Sequence, residues 1–127
     1  MIEVVLDASA VLADLQNEPG GEAMRIAAPR AVVSAVNFAE VITKLIERGM
    51  PGKDAQRLAE TAAYQVIAAD QARSTLAALM HEKTRRTGVS LGDRFCLALA
   101  QETGLPAVTA DRRWKTLDLG IEISLIR

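Results

Sequence analysis

Val89-Ser90-Leu91-Gly92-Asp93-Arg94-Phe95-Cys96-Leu97-Ala98-Leu99-Ala100, followed shortly by Gly104-Leu105-Pro106-Ala107-Val108-Thr109-Ala110-Asp111, decides how this chain is read. Ser90 is an N-cap type, and Leu91, Phe95, Ala98 and Leu99 recur at helical spacing. Gly104 and Pro106 end the helix. Ala107-Val108-Thr109 lacks polar alternation, which predicts a strand covered on both faces. A helix that folds back antiparallel to the strand after it begins at that strand's carboxyl end. Asp93, in the first helical turn, and Asp111, just past the strand, are therefore expected at one edge of a sheet. Two such carboxylates repel, so a cation is expected between them.

Outward from this stretch, Ile2–Leu6 reads as a first strand ending at Asp7-Ala8-Ser9, and Asp7 or Ser9 can cap a helix over Ala10–Gln16. Asn17–Gly21 is a break, Gly21–Ala28 a short helix and Ala31–Val33 a second buried strand. Ser34 opens a helix that runs to Arg48 and closes at Gly49. Phe38, Val41, Ile42, Leu45 and Ile46 form its apolar set, with Asn37, Glu40, Thr43, Lys44 and Glu47 opposite. Lys53–Ala63 is helical, Gln65–Ala68 reads as a third strand, and Asp70 caps a helix from Gln71 to Arg86. Ile121–Ile126 is the last, edge strand.

This alternation predicts one α/β domain over residues 1–127, a mainly parallel sheet of four to five strands flanked by helices. Ligands of such sheets lie outside the carboxyl ends of the strands. Asp7, Glu40, Asp93 and Asp111 all belong to that edge.

The 127 residues suffice for one core. Half the chain is hydrophobic but only 3% is aromatic, so the core is built of Ala, Val, Leu and Ile, as suits helices on a parallel sheet. Fifteen Lys and Arg against sixteen Asp and Glu give a net charge of −1, which excludes an all-over basic coat but not a local basic patch. Cys96, the single cysteine, has no internal disulfide partner and reads as a buried thiol. The N-terminus has no basic region before an apolar run, and no apolar run approaches the ~20 residues that span a bilayer, so a cytoplasmic protein without membrane contact is expected.

Four carboxylates at one edge call for a hard divalent cation. Mg²⁺ or Mn²⁺ takes oxygen ligands and is held by one or two carboxylates plus waters and substrate phosphate. Zinc is disfavoured, because His81 is the only histidine and Cys96 is alone. The chemistry open to such a site is phosphoryl transfer or phosphodiester hydrolysis. There is no Gly-rich phosphate loop and no histidine placed for a Ser-His-Asp triad.

Asp7-Ala8-Ser9, Ser34…Asn37…Glu40, Ser90-Leu91-Gly92-Asp93 and Leu105–Asp111 carry a family resemblance, in family order over almost the whole chain. The chain resembles PIN-domain ribonucleases, specifically the VapC type of toxin from toxin–antitoxin pairs. The resemblance implies a sheet order of 3-2-1-4-5 and an endoribonuclease dependent on Mg²⁺ or Mn²⁺. It also implies a cognate antitoxin protein and a homodimer. Carried over residue by residue, Asp7, Glu40, Asp93 and Asp111 are the catalytic, metal-holding acids, and Ser9, Asn37 and Thr109 support them by hydrogen bonds. Asp118 competes with Asp111 for the fourth place.

Each acid also has an ordinary structural reading. Ser90 and Asp93 fit a capping box, Asp7 an N-cap, and Glu40 an i,i+4 pair with Lys44. Capping and metal binding need not exclude each other. Among the cations, Lys83, Arg85 and Arg86 read as a solvated helix end. Arg94, Arg112, Arg113 and Lys115 flank the acid edge and are expected to contact RNA phosphates. Trp114 reads as core rather than a base-stacking platform. Two other classes compete: a catalytically inactive PIN-like binding module, and a phosphoacceptor signalling domain. The second would want adjacent acids after the first strand, where Ala8 and Ser9 follow Asp7.

Overall fold

The computed structural model describes residues 1–127. Five parallel strands, β1 (Val4–Leu6), β2 (Ala31–Ser34), β3 (Gln65–Ile67), β4 (Ala107–Thr109) and β5 (Ile123–Leu125), lie in the order β3-β2-β1-β4-β5. That is the order the resemblance implied. The helices are α1 (Ala8–Leu15), α2 (Gly21–Ala27), α3 (Ala35–Glu47), α4 (Gly52–Thr61), α5 (Gln71–Leu79), α6 (His81–Thr84) and α7 (Leu91–Thr103).

Strand alternation sorts the side chains into two cores. Val5, Val32 and Ala107 share a cluster with Phe95–Ala100 of α7, Ala77 and Met80. Leu6, Ala31, Val33 and Val108 share the other with Ala10, Val11, Val41, Leu45 and Ala55 from α1, α3 and α4. Helices thus cover both faces of the sheet, as parallel strands without polar alternation require. The third strand forms as expected, at an edge where Val66 is exposed. Most boundaries agree to within two residues.

Two features depart from the sequence reading, and Trp114 lies in the core as expected, on a turn the sequence did not announce. The helix expected over Gln71–Arg86 breaks at Met80. A continuous helix would offer the carbonyls of Ala77 and Ala78 to the amides of His81 and Glu82; instead they accept from Arg94 Nη1 of α7 at 3.1 and 3.2 Å. α7 is buried on nearly all sides from Phe95 to Ala100, whereas Leu91 is 53% exposed and stands outside the apolar set. A 3₁₀ turn over Arg112–Thr116 places Trp114 at 0% exposure in the core.

Leu97 of α7 is fully buried. Leu97→Ala is expected to lose about 2–5 kcal/mol of unfolding free energy in denaturant titrations. Leu91→Ala, at the exposed start of the same helix, is expected to stay within about 0.5 kcal/mol of the parent.

Candidate active site

β1 passes directly into α1 through Asp7, whose carboxylate caps the helix. Its Oδ1 accepts from the Ala10 amide at 2.9 Å and from Ser9 Oγ at 2.7 Å, and its Oδ2 accepts from Thr109 Oγ1 at 2.6 Å. Thr109 ends β4, the neighbouring strand. Thr109 Oγ1 and Ser9 Oγ in turn accept from the amides of Asp111 and Ala110, at 3.0 and 2.9 Å. Asp7 is only 5% exposed. Burial raises its pKa to about 6, with the Asp93 charge a smaller push in the same direction, against the lowering effect of the three hydrogen bonds.

Glu40 reaches the same edge from α3. Its Oε1 accepts from Asn37 Nδ2 at 2.7 Å, and the same Nδ2 donates to the Gly92 carbonyl at 2.9 Å, tying α3 to the first turn of α7. Burial raises its pKa, and the Asp93 charge raises it further. The Glu40 carboxylate lies so close to Gly92 that a β-carbon there would overlap both of its oxygens. The sequence reading passed over Gly92 as a functional residue. Its signal was available: glycine within a helix costs about 1 kcal/mol relative to alanine, so its presence asks for a reason.

Asp93 makes the expected capping box with Ser90. The Asp93 amide donates to Ser90 Oγ at 3.1 Å, and Asp93 Oδ2 accepts from the Ser90 amide at 2.9 Å. Its Oδ1 is left without a hydrogen-bond partner. Cys96, one turn on, lies within the field of three acids. Burial first, then the charges of Asp7, Asp93 and Glu40, push its thiol well above the usual range, so it is an inert core group.

Asp111 differs from the other acids. Its carboxylate accepts four hydrogen bonds from one residue, the Arg113 amide at 2.9 Å, Nε at 3.0 and 3.2 Å, and Nη2 at 2.6 Å. The guanidinium holds the Asp111 pKa below the ordinary carboxylate value. Asp118, the other candidate for the fourth place, is exposed and bonds to none of these groups. Among the cations, Arg112 is exposed and unpaired, while Arg94 points at the end of α5. Lys115 Nζ donates to the Ile123 carbonyl at 2.7 Å.

The donor set is all oxygen. Asn37 Oδ1 is buried without a partner, and Asp93 Oδ1 and Glu40 Oε2 accept no hydrogen bond. No three His, Cys, Asp or Glu side chains form a ready-made metal cage. Mg²⁺ does not ask for one, since it is commonly held by one or two carboxylates and keeps its waters. The residues present fit such an ion.

A family model described as "PIN domain" matches residues 4–119. No curated protein matches the sequence. Among solved structures, the DNA-bound VapBC of Salmonella typhimurium superposes with a TM-score of 0.79 at 20% identity, covering 100% of both chains. The VapC20 toxin of Mycobacterium tuberculosis, described as cleaving the sarcin–ricin loop, superposes at 0.75 with 15% identity, covering 94% of this chain and 99% of that one. VapBC-1 of nontypeable Haemophilus influenzae superposes at 0.69 with 17% identity, covering 99% and 98%. At these identities the likeness is one of fold.

Because the Asp7 carboxyl titrates near 6 when folded and at an ordinary 3.8 when not, the folded chain holds an extra proton between those values. In EDTA, this group adds stability below pH 3.8 that is lost as pH rises through 6, at most about 3 kcal/mol. Asp7→Asn removes that dependence. Unfolding titrations at about pH 4 and about pH 7.5 should find the parent losing ground to the variant at the higher pH.

Proposed function

This chain belongs to the PIN-domain family, and from that premise we propose that it is an Mg²⁺- or Mn²⁺-dependent endoribonuclease, the toxin of a toxin–antitoxin pair. The observation that carries the reading is the meeting of Asp7, Glu40 and Asp93 around the first turn of α7, where no Lys or Arg is hydrogen-bonded to any of them. A fold that needed only helix caps there would be served by neutral Ser or Asn.

In this reading Asp7 and Asp93 would hold the cation, the Oδ1 of Asp93 having no hydrogen-bond partner. When bound, the ion supplies a polarised phosphate and a water acidic enough to attack at neutral pH. Ser9 and Thr109 fix the Asp7 carboxylate by donating to its two oxygens. Asn37 fixes Glu40, leaving Oε2 free to orient a water and take its proton, a role suited to a carboxylate with a raised pKa. Arg112 and Arg113 form the basic rim for RNA phosphates. Arg94 and Lys115 use donors on backbone carbonyls and add less to it.

The neighbours crystallised as VapBC complexes support a cognate antitoxin for this chain, while a homodimer rests on the family resemblance alone. Ile26, Ile46, Leu76, Leu79 and Leu91 are among the large apolar side chains exposed to such partners. No helix is long and apolar enough to cross a membrane.

The purified chain should cleave single-stranded RNA with Mg²⁺ or Mn²⁺ and stop in excess EDTA; full cleavage in EDTA would overturn the reading. Asp93→Asn should fold, lose about 100-fold or more in rate, and gain less melting temperature from Mg²⁺ than the parent. A parent inert under all metal conditions would instead favour a binding module. Gly92→Ala is expected to cost activity while leaving stability within about 1 kcal/mol, since the flexible end of Glu40 yields to the new methyl and leaves its place.

A further inference from the structure

We propose that Asp111 is not a ligand of the catalytic cation but a positioning residue, which holds Arg113 as a fixed clamp for an RNA phosphate beside the acid centre. The inference rests on the nuclease reading above and assigns different work to one of its four acids.

The geometry differs from that of the other three. Asp7 is fixed by neutral hydroxyls and an amide, Glu40 by an amide side chain, and Asp93 by one backbone amide. Asp111 alone has both oxygens engaged by a guanidinium, in a side-by-side pair through Nε and Nη2 that also caps the 3₁₀ turn through the Arg113 amide. Such paired bonds fix the plane of the arginine as well as its position. A cation at Asp111 would have to displace a charged partner, whereas the bonds that engage both oxygens of Asp7 come from neutral donors.

The clamp also points somewhere useful. Arg113 is 60% exposed, and its Nη1 makes no hydrogen bond. Nη1 lies beside Gly88, 3.5 Å from where a β-carbon on that residue would sit, in the loop that leads to Ser90 and Asp93. The base of the arrangement is tied to the centre: the Asp111 amide donates to Thr109 Oγ1, which donates to Asp7. Arg113 therefore stands at a set distance from the cation-binding acids with a donor edge free, as a phosphate next to the scissile bond requires. Lys115 and Arg94, on neighbouring elements, each bond a backbone carbonyl, and neither is paired with a carboxylate that would fix its plane.

The test measures Mn²⁺ alone and RNA separately. By calorimetric titration with Mn²⁺, Asp111→Asn should bind within about threefold of the parent, whereas Asp7→Asn should weaken binding about tenfold or more. On single-stranded RNA, Asp111→Asn and Arg113→Ala should both raise KM about tenfold with a smaller change in kcat. The double variant should be no worse than Arg113→Ala, because the aspartate acts only through the arginine. Arg113→Lys should not restore KM, since a lysine cannot form the paired contact. Loss of Mn²⁺ binding in Asp111→Asn to the degree seen in Asp7→Asn, or additive effects in the double variant, would overturn the assignment while leaving the nuclease intact. A parent that neither binds Mn²⁺ nor cleaves RNA would overturn the nuclease reading itself.

Discussion

Asp7 sits at the end of the central strand with three donors from two distant segments converging on it, and almost no solvent. Removing an ionised carboxylate from water costs several kcal/mol, and no cation is hydrogen-bonded to offset it. The bonds from Ser9, Ala10 and Thr109 recover part of that cost and do further work. They start α1, hold the end of β4 to the end of β1, and through Thr109 and Ser9 fix the backbone that carries Asp111. The carboxyl edge of the sheet is thus organised around a charge left unbalanced. A neutral cap would serve folding better, and it is this unbalanced charge on which the proposed cation site rests.

The structural bonds of these acids differ oxygen by oxygen, and Asp7 engages both of its own with neutral donors. Asp93 gives Oδ2 to the capping box and keeps Oδ1; Glu40 gives Oε1 to Asn37 and keeps Oε2. Each structural bond orients the other oxygen at no cost to its availability. Asp111 has committed both, and to a cation. Motif spacing treats the four acids alike, whereas their hydrogen bonds do not.

The parallel sheet, the covered strands and the acid-bearing edge were legible in the sequence because they follow from local periodicity and chain direction. The order of the strands came from resemblance, since alternation alone permits several orders. What stayed hidden depends on contacts between residues far apart in the chain. The break at Met80 needs Arg94 from another helix to take two carbonyls. The demand for glycine at residue 92 exists only once Glu40 of α3 is laid against it. Arg113 and Lys115 read as equivalent rim cations, yet one pairs with an acid and the other reaches a strand carbonyl.

On the proposed nuclease reading, these commitments bear on how a chain of net charge −1 would take a polyanion. On that reading, an RNA strand approaching this edge would meet the field of Asp7, Glu40 and Asp93, and of the flanking cations Arg112 and Arg113 are the ones that make no bond to a backbone carbonyl through their side chains. Alone, that balance disfavours the substrate. A divalent ion held at Asp7 and Asp93, as proposed, would cancel two of the three charges, so cation and RNA would favour each other's binding, and by linkage to the same degree. Placement of the arginines then matters more than their number. With few cations available, affinity for nonspecific RNA stays modest. The one arginine held rigidly can contribute where the phosphate is about to react, since a fixed donor loses little freedom when that phosphate arrives.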